Sequence, residues 1–300
     1  MARLARDTVR VEVPATSANL GPGFDALGIA LGIVDDIDVR ATTGLTHVTV
    51  TGSGAGSLPE GENHLVVRAV RAALDHAGAP QAGLELRCHN RIPHGRGLGS
   101  SAAAVVGGLV AARGLVAEPE ALDDDTVLAL ATEFEGHPDN AAPAILGGAT
   151  VAWSDARGPR AARLDVGPHV RPTVLVPPGE LLTGTARSVL PRQVSHEDAS
   201  FNAGRSALLV LALDQRPDLL LPATEDRLHQ RQRAVVMEES LRVVDTLREL
   251  GLPAVVSGAG PSVLVLAETD EAHVAAFVRH GWRVYTPGVA DRGARIVTGD

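Results

Sequence analysis

The chain has 300 residues, 45% of them hydrophobic and 21% charged, with a formal net charge of −9. That balance suits a soluble globular protein with a substantial core, as one large domain or two modest ones, and it speaks against nucleic-acid or anionic-membrane surfaces, which need clustered basic side chains. A single cysteine, Cys88, excludes an intramolecular disulfide and a multi-cysteine zinc site, and fits a reducing compartment.

Aromatic residues make up only 2% of the chain, so the core must be built from Ala, Val and Leu. Residues 1–13 carry three arginines but no apolar signal-type run, and no apolar stretch is long enough to span a bilayer, which predicts a cytoplasmic protein.

Residues 8–13, T-V-R-V-E-V, alternate as a half-buried strand does, and the strand is expected to end at Pro14. Residues 15–25, A-T-S-A-N-L-G-P-G-F-D, are too long for a hairpin turn and rich in Gly, Pro and small polar residues. They predict an excursion or a site. Strands follow over 28–39 and 47–51. A helix is predicted over 64–77, with Val66, Val70, Ala73, Leu74 and Ala77 as its apolar face, Asn63 as its cap and Gly78 as its stop. Leu84, Leu86 and Cys88 then alternate with Glu85, Arg87 and His89 in a strand that delivers the chain to residues 93–108.

Those residues read P-H-G-R-G-L-G-S-S-A-A-A-V-V-G-G, a glycine loop running into a helix start. Gly95, Gly97 and Gly99 free the backbone to turn and expose its N–H groups, and the small apolar residues from Ala102 suit a buried helix. Unpaired N–H groups and the positive end of a helix dipole converge there, which attracts phosphate. Ser100 and Ser101 stand at the first turn, where their hydroxyls can cap the helix, ligate a metal ion, or both. The plain alternative is a glycine turn with an ordinary Ser cap. A Walker loop is excluded because it needs a lysine and the chain has none. G-x-G-x-x-A occurs at both Gly97 and Gly21, but no acidic strand end follows the first about 20 residues on, which argues against a dinucleotide site.

A helix is predicted over 126–135 from Val127, Leu128, Leu130, Ala131 and Phe134, and it runs into Glu135-Gly136-His137-Pro138-Asp139-Asn140. A helix C-terminus disfavours acidic side chains, so this cluster of titratable groups reads as a site more than as packing. A strand over 147–153 closes the N-terminal half. The Arg-, Gly- and Pro-rich stretch 155–168 marks a boundary between domains at 1–160 and 161–300. Beyond it come a strand at 173–177, helices over 200–213 and 233–250, a strand, glycine turn and strand over 254–266, a helix over 271–280 and a strand at 282–285.

The P-x-x-x-G-L-G-S-S-A run from Pro93 to Ala102 resembles the nucleotide-binding motif of the GHMP kinases. V-P-A-T-S-A-N-L-G-P-G-F-D-A-L-G at 13–28 is similar to the N-terminal motif of that family's homoserine kinases. L-T-G-T-A-R-S-V-L-P at 182–191 is similar to their S-T-A-x-A-R-x-x-L-P segment, D-R-L-H-Q-R-Q-R at 226–233 to their H-x-x-x-R, and residues 254–266 to the third GHMP motif. The resemblance implies an α+β fold of two domains, an N-terminal ribosomal-protein-S5-like domain and a C-terminal ferredoxin-like α/β sandwich. It implies ATP held by Asn63, Pro93, His94, Gly95, Arg96, Gly97, Leu98, Gly99, Ser100, Ser101 and Ala102, with Mg²⁺ at Ser100, Ser101 and Glu135. L-homoserine would contact Asn19, Asp25, His137, Asp139, Thr183, Arg187 and Arg233, and catalysis would fall to Asn19, Glu135, His137 and Asp139.

The implied reaction moves the γ-phosphoryl of ATP to the hydroxyl of L-homoserine, a step of threonine biosynthesis, with no nucleic-acid or membrane partner. A zwitterionic acceptor needs an anion for its ammonium, which Asp25 suits, and a planar fork for its carboxylate, which Arg187 and Arg233 suit. A family member acting on mevalonate or a sugar has no use for that set. A non-catalytic ligand sensor of the same fold is expected to have lost Glu135 or the serine pair. The loop from Glu135 to His137 is shorter than the commoner family pattern, and the oligomeric state, a homodimer included, stays open.

Overall fold

The structure, a computed structural model, describes residues 3–297. The alternating N-terminal run forms β1, Thr8–Ala18, which does not stop at Pro14. Proline has no N–H to give the ladder, so the register against β2, Leu27–Thr42, slips there instead: Pro14 faces Val34 and Ala15 faces Leu31. The bulge lets the strand run on to Ala18, so Thr16 and Ser17 are fully buried inside a sheet.

β3, His47–Gly52, is followed by α1, Leu65–His76, and β4, Gly83–Asn90, in which Leu84, Leu86 and Cys88 point inward as their alternation predicts. Asn63 does not cap α1. It ends a short 3₁₀ turn, Gly61–Asn63, and His64 stands at the cap position without a side-chain bond, because the turn uses up the residues the cap would need. α2, Ser100–Leu115, lies against β1 and α1 at the centre of the core. Gly108 allows the close approach to α1, since a Cβ there would stand 2.7 Å from the carbonyl of Val66. A chain poor in aromatics closes its core by bringing backbones together.

α3, Asp124–Glu135, and α4, Ala141–Leu146, lead to the hairpin of β5, Ala149–Asp155, and β6, Gly158–Leu164. The 16-residue β2 joins two groups of strands: its first residues pair with β5 and its last with β4. The expected division after residue 160 falls inside β6. The stretch read as a boundary is a hairpin whose return strand completes the first sheet.

The second sheet is antiparallel, with strands in the order 283–285, 173–176, 263–265 and 254–256. In chain order its half comprises β7, Thr173–Val176; α5, Thr183–Ser188; α6, His196–Asp214; α7, Leu220–Ala223; α8, Ala234–Glu249; β8, Ala254–Val256; β9, Val263–Val265; α9, Glu271–Arg279; and β10, Arg283–Tyr285. Leu241, Val244 and Leu247 of α8 pack on Leu175, Val263 and Val265 of this sheet. α4, α5 and α7 are short helices where the sequence predicts none, and β11, Arg295–Val297, returns to pair with β1 in the first sheet. The fold is α+β in two parts, as expected. Among the described residues no helix is long and apolar enough to cross a membrane.

Candidate active site

The exit of β4 is pinned by Asp35 of β2, whose carboxylate accepts from the main-chain N–H of Arg91 at 2.6 Å and of Ile92 at 2.8 Å. Burial pushes the Asp35 carboxyl up to about 6, against those two bonds. From this anchor the chain turns through Gly95, Gly97 and Gly99 with φ of 65°, 69° and 66°, a region that L side chains avoid. Gly99 caps α2 in that conformation, and a Cβ on it would lie 1.9 Å from Thr16 Oγ1. Gly97 is as confined: a Cβ would stand 2.3 Å from the carbonyl of Ser257. Ser257 Oγ lies 2.7 Å from the carbonyl of Gly97 and 2.8 Å from Ser17 Oγ. The end of β1, the glycine loop and the turn between β8 and β9 thus close on one another.

Around the helix start, Ser101 Oγ donates to Glu135 Oε1 at 2.5 Å, and Ser100 Oγ lies 3.4 Å from His94 Nδ1. Gly136 ends α3 in the left-handed region, which turns the chain sharply enough for Glu135, His137 and Asp139 to share one site despite the short loop. The Arg96 guanidinium spans the loop and the segment beyond it: it donates to the carbonyls of His94 at 2.8 Å, Pro177 at 3.0 Å and Pro178 at 2.6 Å, and to Glu180 Oε1 at 3.0 Å. Its side chain ties the loop to the segment after β7. Pro93, Leu98 and Ala102 are buried and shape the loop from behind.

On the other side of the glycine loop, Asn19, Leu20 and Asp25 hold φ of 68°, 49° and 55°, strained values for residues with side chains. Asn19 maintains the turn from within: its Oδ1 accepts from the N–H of Asp25 at 3.0 Å, and its Nδ2 donates to the carbonyl of Gly258 at 2.9 Å. The Asp25 carboxylate takes both arms of Arg187, at 2.5 and 3.1 Å. Asp139 is 1% exposed and lies 2.5 Å from His137 Nδ1. Burial opposes protonation of His137, but the bond to Asp139 and its charge outweigh it, and the imidazole pKa is raised.

Arg233 is 1% exposed, and burial, reinforced by the charge of Arg187, lowers its guanidinium to about 10. It therefore stays charged at neutral pH. Thr183 opens α5 at the surface.

Two cavities meet at the helix start. One of about 170 Å³ is lined by Asn19, Gly95, Gly97, Glu135, His137, Asp139, Thr183, Arg187 and Arg233. Asp25 is not in its wall and reaches it through Arg187. The other, of about 290 Å³, is mainly apolar and is lined by Leu58, Pro59, Asn63, Leu65, Ile92 and Ala104. His94, Ser100 and Ser101 belong to both. Such an arrangement suits a ligand with a flat apolar part in one cavity and phosphates at the helix start, facing a small charged molecule in the other. Thr16, Asn140 and Ser257 also frame the site: Thr16 Oγ1 donates to Asn140 Oδ1 at 2.8 Å and Ser257 Oγ donates to the carbonyl of Gly97 at 2.7 Å, and although each falls within a motif of the sequence, those pairings join segments far apart in the chain.

The family model for the N-terminal domain of GHMP kinases matches residues 64–148, and that for their C-terminal domain matches 208–283. The chain is 54% identical to the homoserine kinase of Streptomyces coelicolor over 96% of its own length and 94% of that protein. It is 53% identical to the homoserine kinase of Mycobacterium tuberculosis over 86% and 84%. The crystal structure of a homoserine kinase from Cytophaga hutchinsonii is similar at a TM-score of 0.83, with 27% identity and 98% of each chain covered. A mevalonate kinase structure, at a TM-score of 0.66 and 14% identity over 95% of this chain and 100% of that one, shares the fold.

Proposed function

Because the chain belongs to the GHMP kinase family, we propose that it is an ATP-dependent homoserine kinase, making O-phospho-L-homoserine for threonine biosynthesis. The observation that carries the substrate is the pairing of Asp25 with Arg187, which lines the smaller cavity together with Arg233: two cations suit a carboxylate and the anion suits an ammonium, which mevalonate and a sugar lack. The amino-acid ammonium pairs with Asp25, and its carboxylate with Arg187 and Arg233.

ATP lies with its base in the apolar cavity beside Asn63 and its phosphates along residues 93–102. There, main-chain N–H groups and the start of α2 supply the positive field that a lysine supplies elsewhere. Ser101 and Glu135, already 2.5 Å apart, offer the hard oxygen donors that Mg²⁺ takes, so Ser100, Ser101 and Glu135 would hold it. When bound, the ion offsets charge on the triphosphate.

The homoserine hydroxyl oxygen forms the new bond to the γ-phosphorus as the bond to the β–γ bridging oxygen breaks and ADP departs. The hydroxyl proton passes to Asp139, which His137 orients, while Asn19 keeps the loop in register. Positioning and charge supply most of the rate, since a loose transition state asks little of the base early on.

The test is ADP release with ATP and Mg²⁺ across homoserine, threonine, serine, mevalonate and galactose. Release is expected with homoserine above all others. Activity confined to another acceptor would overturn the substrate, and none with any acceptor would favour a sensor.

A further inference from the structure

The turn that carries Arg233 holds a histidine to which the reaction above gives no task. His229 is fully buried, and both ring nitrogens are engaged: Nε2 lies 2.7 Å from the carbonyl of Gly21, and Nδ1 lies 3.0 Å from Arg233 Nη1. A carbonyl only accepts and a guanidinium only donates, so the ring is neutral with its proton on Nε2. Burial holds its proton affinity down against the charge of Asp226, which keeps Nδ1 available as an acceptor.

The turn is built to hold this ring. Asp226 accepts from the main-chain N–H groups of Leu228, His229 and Gln230, at 2.8 to 3.0 Å, and from the Asn202 amide at 2.9 Å. Phe24, next to Asp25, lies against the imidazole with ring centres 5.1 Å apart. Arg233 then has Nε on the carbonyl of Ala186 and Nη1 between His229 and the carbonyl of Gly258, while Nη2 makes no protein hydrogen bond among the described residues. Arginine has many rotamers, and one that serves a ligand persists when its remaining nitrogens are fastened.

We propose that His229 is a positioning residue of the acceptor site: anchored on Gly21 through Nε2, it fastens Arg233 through Nδ1 and so presents that guanidinium to the substrate carboxylate. The inference rests on the reading of Arg233 as a carboxylate ligand.

Two amides separate the two bonds. Asparagine puts a polar atom where Nδ1 is, and glutamine one where Nε2 is. His229→Asn therefore keeps the acceptor for Arg233, whereas His229→Gln keeps the bond to Gly21 and leaves Arg233 unfastened. Each variant loses one buried hydrogen bond, so a merely structural role predicts equal kinetics. We expect His229→Gln to raise KM for homoserine by about tenfold, the scale of one hydrogen bond to a charged group, with kcat and KM for ATP nearly unchanged, and His229→Asn to recover most of that loss.

Adding His229→Gln to Arg233→Gln should raise KM for homoserine no further than Arg233→Gln alone. Equal effects of the two amides, or additive effects in the double variant, overturn the positioning role and leave the carboxylate reading intact. An Arg233→Gln enzyme with unchanged KM for homoserine overturns both. If His229→Gln does not fold, His229→Ala combined with Arg233→Gln runs the same cycle.

Discussion

Asp25 and Arg187, 162 residues apart in the chain, form a bidentate ion pair in which each occupies the charge the other would present to an amino acid. An incoming zwitterion can divide this pair without leaving either charge bare: its ammonium replaces Arg187 at Asp25, and its carboxylate replaces Asp25 at Arg187. A ligand with only one of the two charges leaves a half-buried partner unpaired. In the proposed acceptor site, such a pair would select for molecules that carry both charges.

Asp25→Asn is expected to raise KM for homoserine by about 10- to 100-fold, the cost of one charged hydrogen bond. KM for ATP should stay nearly constant. In a double-mutant cycle with Arg187→Gln on homoserine KM, the two effects should fall well short of adding, and strict additivity would show that the residues do not act together.

Asp139→Asn keeps the shape of the site but removes the carboxylate that His137 holds at 2.5 Å. Steady-state kinetics should show kcat down by about 10²- to 10⁴-fold with KM for homoserine little changed. An unaltered kcat would take Asp139 out of the mechanism.

Glu135→Gln weakens the oxygen donor set it forms with Ser101. The Mg²⁺ concentration for half-maximal rate should rise by at least about tenfold. Titrating Mg²⁺ at saturating ATP and homoserine measures this, and an unshifted midpoint would place the ion elsewhere.

Gly99→Ala forces a Cβ against Thr16 Oγ1, 1.9 Å away, in a backbone conformation with φ of 66°. The left-handed backbone alone costs about 1–2 kcal/mol, and the clash adds to it. Thermal unfolding should shift down accordingly, and nucleotide protection against unfolding should be lost with it.

Asp35 gives the stability a pH dependence of defined sign. Its carboxyl stands at about 6 in the native protein against an ordinary 3.8, so between those values the native state holds a proton that the unfolded chain has released. Its contribution therefore weakens as pH rises from about 4 to about 6 and is level above that. Relative to wild type, Asp35→Asn should gain about 2–3 kcal/mol between pH 4 and pH 7 in urea unfolding. A parallel pair of profiles would remove Asp35 as the source. Asp36 beside it is held low by Arg10 and Arg91 despite burial and contributes the opposite slope, but to both proteins alike.

Much of the nucleotide side could be read along the chain. Three glycines followed by two serines and a run of small apolar residues specify a loop and a helix start through nearest-neighbour sterics, and the absence of lysine narrows how phosphate is held there. Alternation placed β4, and the 3.6-residue period placed α1 to within a residue or two, because burial of one face leaves a mark at every second or every third to fourth position.

Only the folded chain decided what those elements meet. That β1 survives Pro14, that β11 crosses back to the first sheet, that Asp25 finds Arg187 and that His229 stands between Gly21 and Arg233 all depend on segments tens to hundreds of residues apart. A side chain's partner across such a distance is set by how sheets and helices pack, and packing leaves no periodic trace in the residues on either side.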